Sequence, residues 1–482
     1  MPQVTLIEAF VAHARRRPDA PALVWRQEEI SYGRLHQLAQ QQRDRLAALT
    51  DGAADPVALL AEKSPHGIAL IVACLLDGRR FLLLAPTTPP EVQQSLARQA
   101  GCALLVSPDA DRRLHRPPGA EAPAGEVSFM LTTSGSTGTP KIVPLPDGAV
   151  DRFTRWAHEQ FDLGPGRSVL NYAPLNFDLC LLDVWATLRY GGRVVLVDPA
   201  QALHPPHLVE LMRRNRVHVV QAVPLFYRLV VEAQQGSSFT DPEHVIFTGD
   251  TLPRRYLGEL PSLFPHARIW NVYGCTETND SLMYEVDPAR LPDGPVPLGN
   301  PLPGVTAVVV NADGTLLTGP GTGELYVSTP FQAEDYLGGT AGDRFGCVPN
   351  GAYPDRRFFR SGDLVRRHPD GELTLEGRTD FQVKIRGTRV NTQEVERVLL
   401  EHPDVIEAAV IVVPDPNLGR SLHAVLRRTP DSTLDSLVLR RHCAASLSPT
   451  AIPATLRITD EPLPRTSTGK VDRTFVGVRE SS

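Results

Sequence analysis

The chain has 482 residues, a formal net charge of −6 and a pI near 6.2, with 42% hydrophobic and 22% charged residues. That length implies more than one domain. The acidic balance excludes the basic stripe a nucleic-acid binder needs, leaving an ordinary globular composition. The longest strongly apolar run, residues 68–76, is too short to cross a bilayer. The N-terminal arginines follow an apolar stretch, the wrong order for a secretory signal. Six cysteines, at 74, 102, 180, 275, 347 and 443, form no CxxC pair, so neither a zinc site nor a disulfide framework is expected. A cytoplasmic address follows, with no nucleic-acid or membrane partner.

Up to about residue 280, helix patterns alternate with short apolar runs. Ser64 reads as an N-cap with Pro65 at the first helical position; Gly78 ends the helix, and residues 80–85 read as a buried strand. The pair recurs at 89–101 with 103–107, 180–192 with 193–198, 205–217 with 218–223, and 224–235 with 244–250. This alternation predicts a layered α/β fold with largely parallel sheets. Ligands in such sheets sit beyond the carboxyl ends of the strands, so the polar loops after 244–248 and 267–274 are candidate walls. After about residue 300, short strands and turns at 306–317, 321–328 and 371–377 predict a small β-rich subdomain. From 381 a strand–helix–strand pattern begins, with Asn391 and Glu394 spaced as a capping box. The last hundred or so residues are long enough for a compact α+β domain. The expected domains are therefore 1–379, the large body, and 380–482, with a direct joint near Asp380.

Residues 131–145, LTTSGSTGTPKIVPL, gather hydroxyls, two glycines and one lysine in a turn. This is not a Walker A sequence, because Lys141 follows Pro140 rather than glycine. Successive amides and hydroxyls can still make a concave anion site. The chain has four lysines against 45 arginines, so a retained lysine marks a place for a compact point charge. Lys63 is read as chance; Lys141, Lys384 and Lys470 are judged by their surroundings.

Further motifs follow in order: NVYGCTETND at 271–280, FFRSGDLV at 358–365, residues 377–396, and LPRTSTGKVDR at 463–473. Together they resemble the adenylate-forming enzymes, specifically stand-alone adenylation enzymes related to nonribosomal peptide synthetases. The resemblance runs from about residue 30 to Arg473. It implies a large N-terminal domain, a small mobile C-terminal domain, ATP and magnesium. By position it implies that Thr133, Ser134, Gly135, Ser136, Thr137 and Gly138 handle the β- and γ-phosphates, with Lys141 nearby. Tyr273 stacks on adenine with Asn271 and Gly249 at its edge; Thr276 bonds the α-phosphate and Glu277 holds magnesium. Asp363 takes the ribose diol, and Arg378 lies close to the same sugar. Lys470 bridges the attacking carboxylate and the α-phosphate, where a cation stabilises the meeting of two anions. Asp380 is the implied hinge. Lys384 serves either thiol-transfer geometry or domain packing.

Asp178 falls where amino-acid-activating members pair with the substrate α-ammonium; its alternative is a helix cap. The other implied pocket positions are Leu179, Leu182, Ala222, Ile246, Thr248, Val272 and Asp280. The apolar majority suits a small or aliphatic amino acid such as alanine or proline. Asp280 either lines the pocket floor, calling for a second amine or hydroxyl on the substrate, or faces solvent. The resemblance thus implies an ATP-dependent ligase in natural-product biosynthesis. It makes aminoacyl-AMP and pyrophosphate, then transfers the acyl group to the phosphopantetheine thiol of a separate carrier protein. An acyl- or aryl-CoA ligase of the same fold and a non-catalytic nucleotide-binding relative are the alternatives.

Overall fold

Ser64 opens the helix Pro65–Leu76 by accepting a 3.0 Å hydrogen bond from the Gly67 amide, and Gly78 leaves it at φ +58°. This local agreement extends through the computed structural model, which describes residues 4–50, 55–114, 126–133, 140–233, 236–292, 294–339, 344–348, 351–378, 382–415, 419–430 and 432–464. Two compact units divide the described residues. One draws on Met1–Pro86, Gln94–Thr132 and Lys141–Gly377; the other draws on Thr87–Gln93, Thr133–Pro140 and Arg378–Ser482.

In the first unit the expected α/β layering is present. Among the described residues its largest sheet has nine strands. Five of them, Pro21–Trp25, Arg193–Leu196, Ser168–Asn171, Val219–Ala222 and His244–Thr248, run parallel, and Arg268–Cys275 continues that direction. Asn279–Val286 then turns back antiparallel. Side chains alternate across the sheet. Ile246 and Trp270, paired in register, enter one hydrophobic core, while Phe247 and Ile269 enter another. A second sheet carries the parallel strands Leu104–Val106, Val57–Leu60, Phe81–Leu84 and Val127–Thr133. The expected β-rich subdomain is an antiparallel sheet built on Thr306–Val310, Gly321–Ser328 and Phe358–Arg367.

Residues 180–192 read as one helix in sequence, but the structure breaks them into a π-helix, Leu181–Ala186, followed by one α-turn, Thr187–Tyr190. A π segment holds an extra residue per turn and commonly marks a functional site. Trp185, 1% exposed, fixes it: its ring meets Phe129 edge-on at 5.5 Å, and Phe129 meets Phe81 at 4.8 Å.

The second unit packs the helices Thr392–Leu400 and Ser436–Ser446 with the strands Val405–Asp415, Gly419–Arg428 and Thr455–Thr459. Val395, Leu399, Leu426, Leu439 and Cys443 form its core. Asn391 caps the first helix as expected, accepting from the Gln393 amide at 2.9 Å. Lys384 lies on the strand Gln382–Ile385, opposite Arg389.

Trp185→Ala removes the largest fully buried side chain of the large core. The expected loss is about 3–5 kcal/mol of stability, read as a lower urea midpoint with unchanged slope.

Candidate active site

The strand Arg268–Cys275 turns through residues 276–278 into Asn279–Val286. The approach of the two strands is unusually close: a Cβ on Gly274 would stand 2.3 Å from the Asn279 carbonyl oxygen. Only glycine fits there. Asn279 itself adopts φ +53°. The tip is pinned from outside by Asn279 Nδ2 donating to the Phe331 carbonyl at 2.8 Å, and by the Ala333 amide donating to the Glu277 carbonyl at 2.9 Å. Glu277, which could have been a surface acid, is therefore fully buried, with Thr276 half-buried beside it. The Tyr336 hydroxyl donates to Glu277 Oε1 at 2.6 Å, and Lys141 Nζ lies 4.8 Å over the Tyr336 ring. Sequence reasoning missed Tyr336. Its local signal is a tyrosine directly after the acids Glu334 and Asp335.

A second carboxylate is held by an aromatic hydroxyl. Tyr273 donates to Asp363 Oδ2 at 2.5 Å, and the Asp363 amide donates to Ser361 Oγ at 3.0 Å. Asp363 sits inside the strand Phe358–Arg367, after Gly362 at φ +75°, rather than in a free turn. Burial, then the Asp363 charge, holds the Tyr273 hydroxyl well above the ordinary phenol range, so it stays a donor. Gly249 ends the strand His244–Thr248 at φ +85°, and Asn271 Nδ2 donates to the Pro297 carbonyl at 2.7 Å.

The third cluster is acidic. Asp178 precedes the π-helix, and its Oδ1 accepts the Leu179 amide at 3.0 Å. Leu182, Ile246 and Val272 share one core with half-buried Leu179 packed against it, and Thr248 pairs with Val272 in register. Ala222 does not share that face. It pairs with Phe247 and packs in the other core, whereas Gln221 pairs with Ile246 and shares its face of the sheet. The structure therefore does not bring Ala222 together with Leu182, Ile246 and Val272.

Asp280 is half-buried on the opposite strand, and loss of hydration, then the Asp178 charge, pushes it up to about 8. The two carboxylates therefore lie within each other's field, and Asp280 is not a solvent-facing acid. Lys63 is also not a chance survivor. It is buried, and its Nζ donates to the Tyr172 and Asn171 carbonyls at 2.8 and 3.2 Å. Burial lowers its pKa to about 8, with Cys180, Asp183 and Asp198 acting the other way.

Ser134, Gly135, Ser136, Thr137, Gly138, Asp380 and Lys470 lie outside the described residues. Thr133, which ends the strand leading to residue 134, is buried, and its Oγ1 has no hydrogen-bond partner among the described residues. Arg378 ends the strand Leu373–Arg378 and is half-buried. In the first unit, a buried carboxylate, Glu277, and a buried lysine, Lys141, that meet the same Tyr336 side chain suit a magnesium–nucleotide triphosphate chemically. No cluster of three metal-ligating side chains occurs among the described residues. Magnesium needs none, since one or two carboxylates with substrate phosphates suffice.

Residues 10–337 match the family of AMP-binding enzymes, and residues 394–470 match the AMP-binding enzyme C-terminal domain. The chain belongs to the AMP-binding, adenylate-forming enzymes. An L-proline–[L-prolyl-carrier protein] ligase of Pseudomonas fluorescens is 31% identical over 507 residues, covering 97% of this chain and 98% of that protein. A dimodular nonribosomal peptide synthase of Bacillus subtilis is 30% identical over 515 residues; the match covers 98% of this chain but 21% of that longer protein. Among solved structures, an artificially fused adenylation–PCP di-domain NRPS, NpsA-ThdA from Klebsiella oxytoca, matches with TM-score 0.79 and 25% identity, covering 95% of this chain and 94% of that one. This adenylate-forming enzyme activates an amino or other carboxylic acid with ATP as its adenylate, and the fold implies magnesium. None of its described helices is long and apolar enough to cross a membrane.

The acid cluster gives a pH signature. Folded Asp280 keeps its proton up to about pH 8, whereas the unfolded chain releases it near 3.8. Over that window the native state binds more protons, so this group's contribution to stability falls as pH rises. Asp280→Asn should flatten the decline of Tm between about pH 5 and pH 8. Thermal unfolding of both proteins across that range checks it, and parallel curves would contradict it.

Proposed function

We propose that the enzyme activates a small amino acid and passes it to the phosphopantetheine thiol of a separate carrier protein. The observation that carries this reading is Asp178, an acid at the head of the π-helix among apolar side chains, with Asp280 close enough to feel its charge. A carboxylate there offers the counter-charge for a substrate cation. An α-ammonium supplies the cation, whereas an aryl or fatty acid would not. The full-length similarity to an L-proline–[L-prolyl-carrier protein] ligase supports the same reading.

In the first step the amino-acid carboxylate attacks the α-phosphorus of ATP, forming a mixed anhydride and releasing pyrophosphate. In the second a carrier thiol attacks the acyl carbon and AMP leaves. Thr133, Ser134, Gly135, Ser136, Thr137, Gly138 and Lys141 are assigned to the β- and γ-phosphates. Tyr273, Asn271 and Gly249 take adenine, and Asp363 and Arg378 the ribose. Thr276 is assigned to the α-phosphate. Glu277, steadied by Tyr336, would hold magnesium, whose charge neutralises the departing pyrophosphate. Leu179, Leu182, Ile246, Thr248 and Val272 bound the side chain. The domains are taken as 1–379 and 380–482, with Lys470 reaching the attacking carboxylate and Asp380 as the pivot that later withdraws it.

ATP–pyrophosphate exchange across an amino-acid panel tests the reading and identifies the substrate. Asp178→Asn should lower kcat/KM for the preferred amino acid by roughly a hundredfold, as expected for losing one partner of a charge pair that substrate covers. Unchanged exchange would favour an acyl- or aryl-CoA ligase instead. Lys470→Ala should abolish adenylate formation yet spare thioester formation from supplied aminoacyl-AMP, and equal loss of both would refute its assigned role.

A further inference from the structure

Asp183 lies on the π-helix, five residues after Asp178, with its side chain fully buried. Both of its oxygens are held by amide donors. Asn171 Nδ2 reaches Oδ2 at 3.2 Å, and Gln221 Nε2 reaches Oδ1 at 3.0 Å. Gln221 Nε2 also donates to the Leu179 carbonyl at 3.0 Å, and the Leu179 amide in turn holds Asp178 Oδ1. At the other end, Asn171 and Tyr172 offer their carbonyls to Lys63 Nζ. Asn171 Nδ2 also lies 3.2 Å from the Ala173 carbonyl and 3.4 Å from Cys180 Sγ. The Asn171 and Gln221 links therefore join strands of the sheet to the short segment that carries Asp178, while Lys63 braces the strand end that holds Asn171.

We infer that Lys63, Asn171, Asp183 and Gln221 form a buried relay of positioning residues that sets the Asp178 carboxylate for the substrate ammonium. The inference rests on the reading of Asp178 given above. None of the four need touch substrate. Asp178 sits between Pro174 and the π-helix on backbone held by single turns: the Phe177 amide donates to the Pro174 carbonyl at 3.0 Å, and the Leu181 amide to the Asp178 carbonyl at 2.8 Å. A site on such backbone is accurate only if a supporting shell locks it. Here the locking atoms are side-chain amides bound to a buried carboxyl. Bonds between buried polar groups rigidify what they join; in this network Asn171 Oδ1 alone of the Asn171 amide atoms has no partner among the described residues.

The acids also constrain one another. Asp280, once ionised above about pH 8, disfavours charge on Asp183, and Lys63 acts in the opposite sense. Lys63 thus acts on Asp183 while its ammonium is held by the Asn171 and Tyr172 carbonyls. A guanidinium in its place would carry a plane of five donors where two carbonyls converge on one nitrogen, which accounts for lysine at this position in an arginine-rich chain.

The test uses the full chain and ATP–pyrophosphate exchange, with the preferred amino acid and the matching acid lacking the α-amino group. Asp183→Asn keeps shape but places a third amide among donors; Gln221→Met keeps volume and removes the donor to Leu179. Both variants should raise the KM for the amino acid by about tenfold while changing the KM for ATP less than about twofold. Discrimination against the desamino acid should narrow by the same factor. Adding Asp183→Asn to Asp178→Asn should cost little further, because both act on one interaction. Equal changes in both KM values, or fully additive losses at constant discrimination, would overturn the relay and leave a merely structural network. If Asp178→Asn alone leaves the amino-acid KM unchanged, the reading beneath the relay falls first. Thermal melts of each variant separate these outcomes from misfolding.

Discussion

Asp183 has no exposure to water and relies on two neutral amides and a more distant lysine to tolerate its position. Burial pushes its carboxyl well above the ordinary carboxylate range. Everything near it is arranged around that constraint. Lys63 is buried with its ammonium on the Asn171 and Tyr172 carbonyls, Gln221 breaks an otherwise apolar strand to reach Asp183, and the π-helix carries Asp183 five residues after Asp178. Apolar residues of similar volume would often be as stable. The retained polarity instead confers a defined geometry on the adjacent loop.

The nucleotide side of the site follows a related rule. Glu277 and Asp363 are buried carboxylates, and each accepts a short hydrogen bond from a tyrosine hydroxyl. Tyrosine suits this task because its ring packs into the core while its hydroxyl reaches a polar partner. The rings of Tyr273 and Tyr336 thus tie each acid to the hydrophobic interior. Gly274 makes the arrangement possible by letting two backbones meet at the hairpin tip, so one absent side chain determines how deep Glu277 lies.

Much of this was legible in the sequence wherever the cause was local. The cap at Ser64, the cap at Asn391, the strands 244–248 and 268–275 and the β-rich stretch after 300 all follow from neighbouring residues. The motifs also gave the order of Glu277, Asp363 and Asp178. What escaped depends on residues far apart in the chain. Lys63 meets carbonyls 108 and 109 residues away, and Tyr336 meets an acid 59 residues away. The π-helix was invisible because its apolar pattern also satisfies an ordinary helix. Ala222 parts from Leu182, Ile246 and Val272 for a different reason: a motif fixes position along a strand, while the sheet register fixes which face each side chain takes.

The π-turn at Leu181–Ala186 also bears on how this region could change over generations. An α-helix advances about 100° per residue, so the extra residue turns the backbone entering Leu181 by roughly that angle relative to the α-turn Thr187–Tyr190. Loss of one residue would let the segment relax into a regular helix at little cost to folding. The same loss would swing Asp178, Leu179 and Leu182 around the axis relative to the Trp185 anchor. Length drift here would therefore rewrite which acid the enzyme accepts while leaving the scaffold intact.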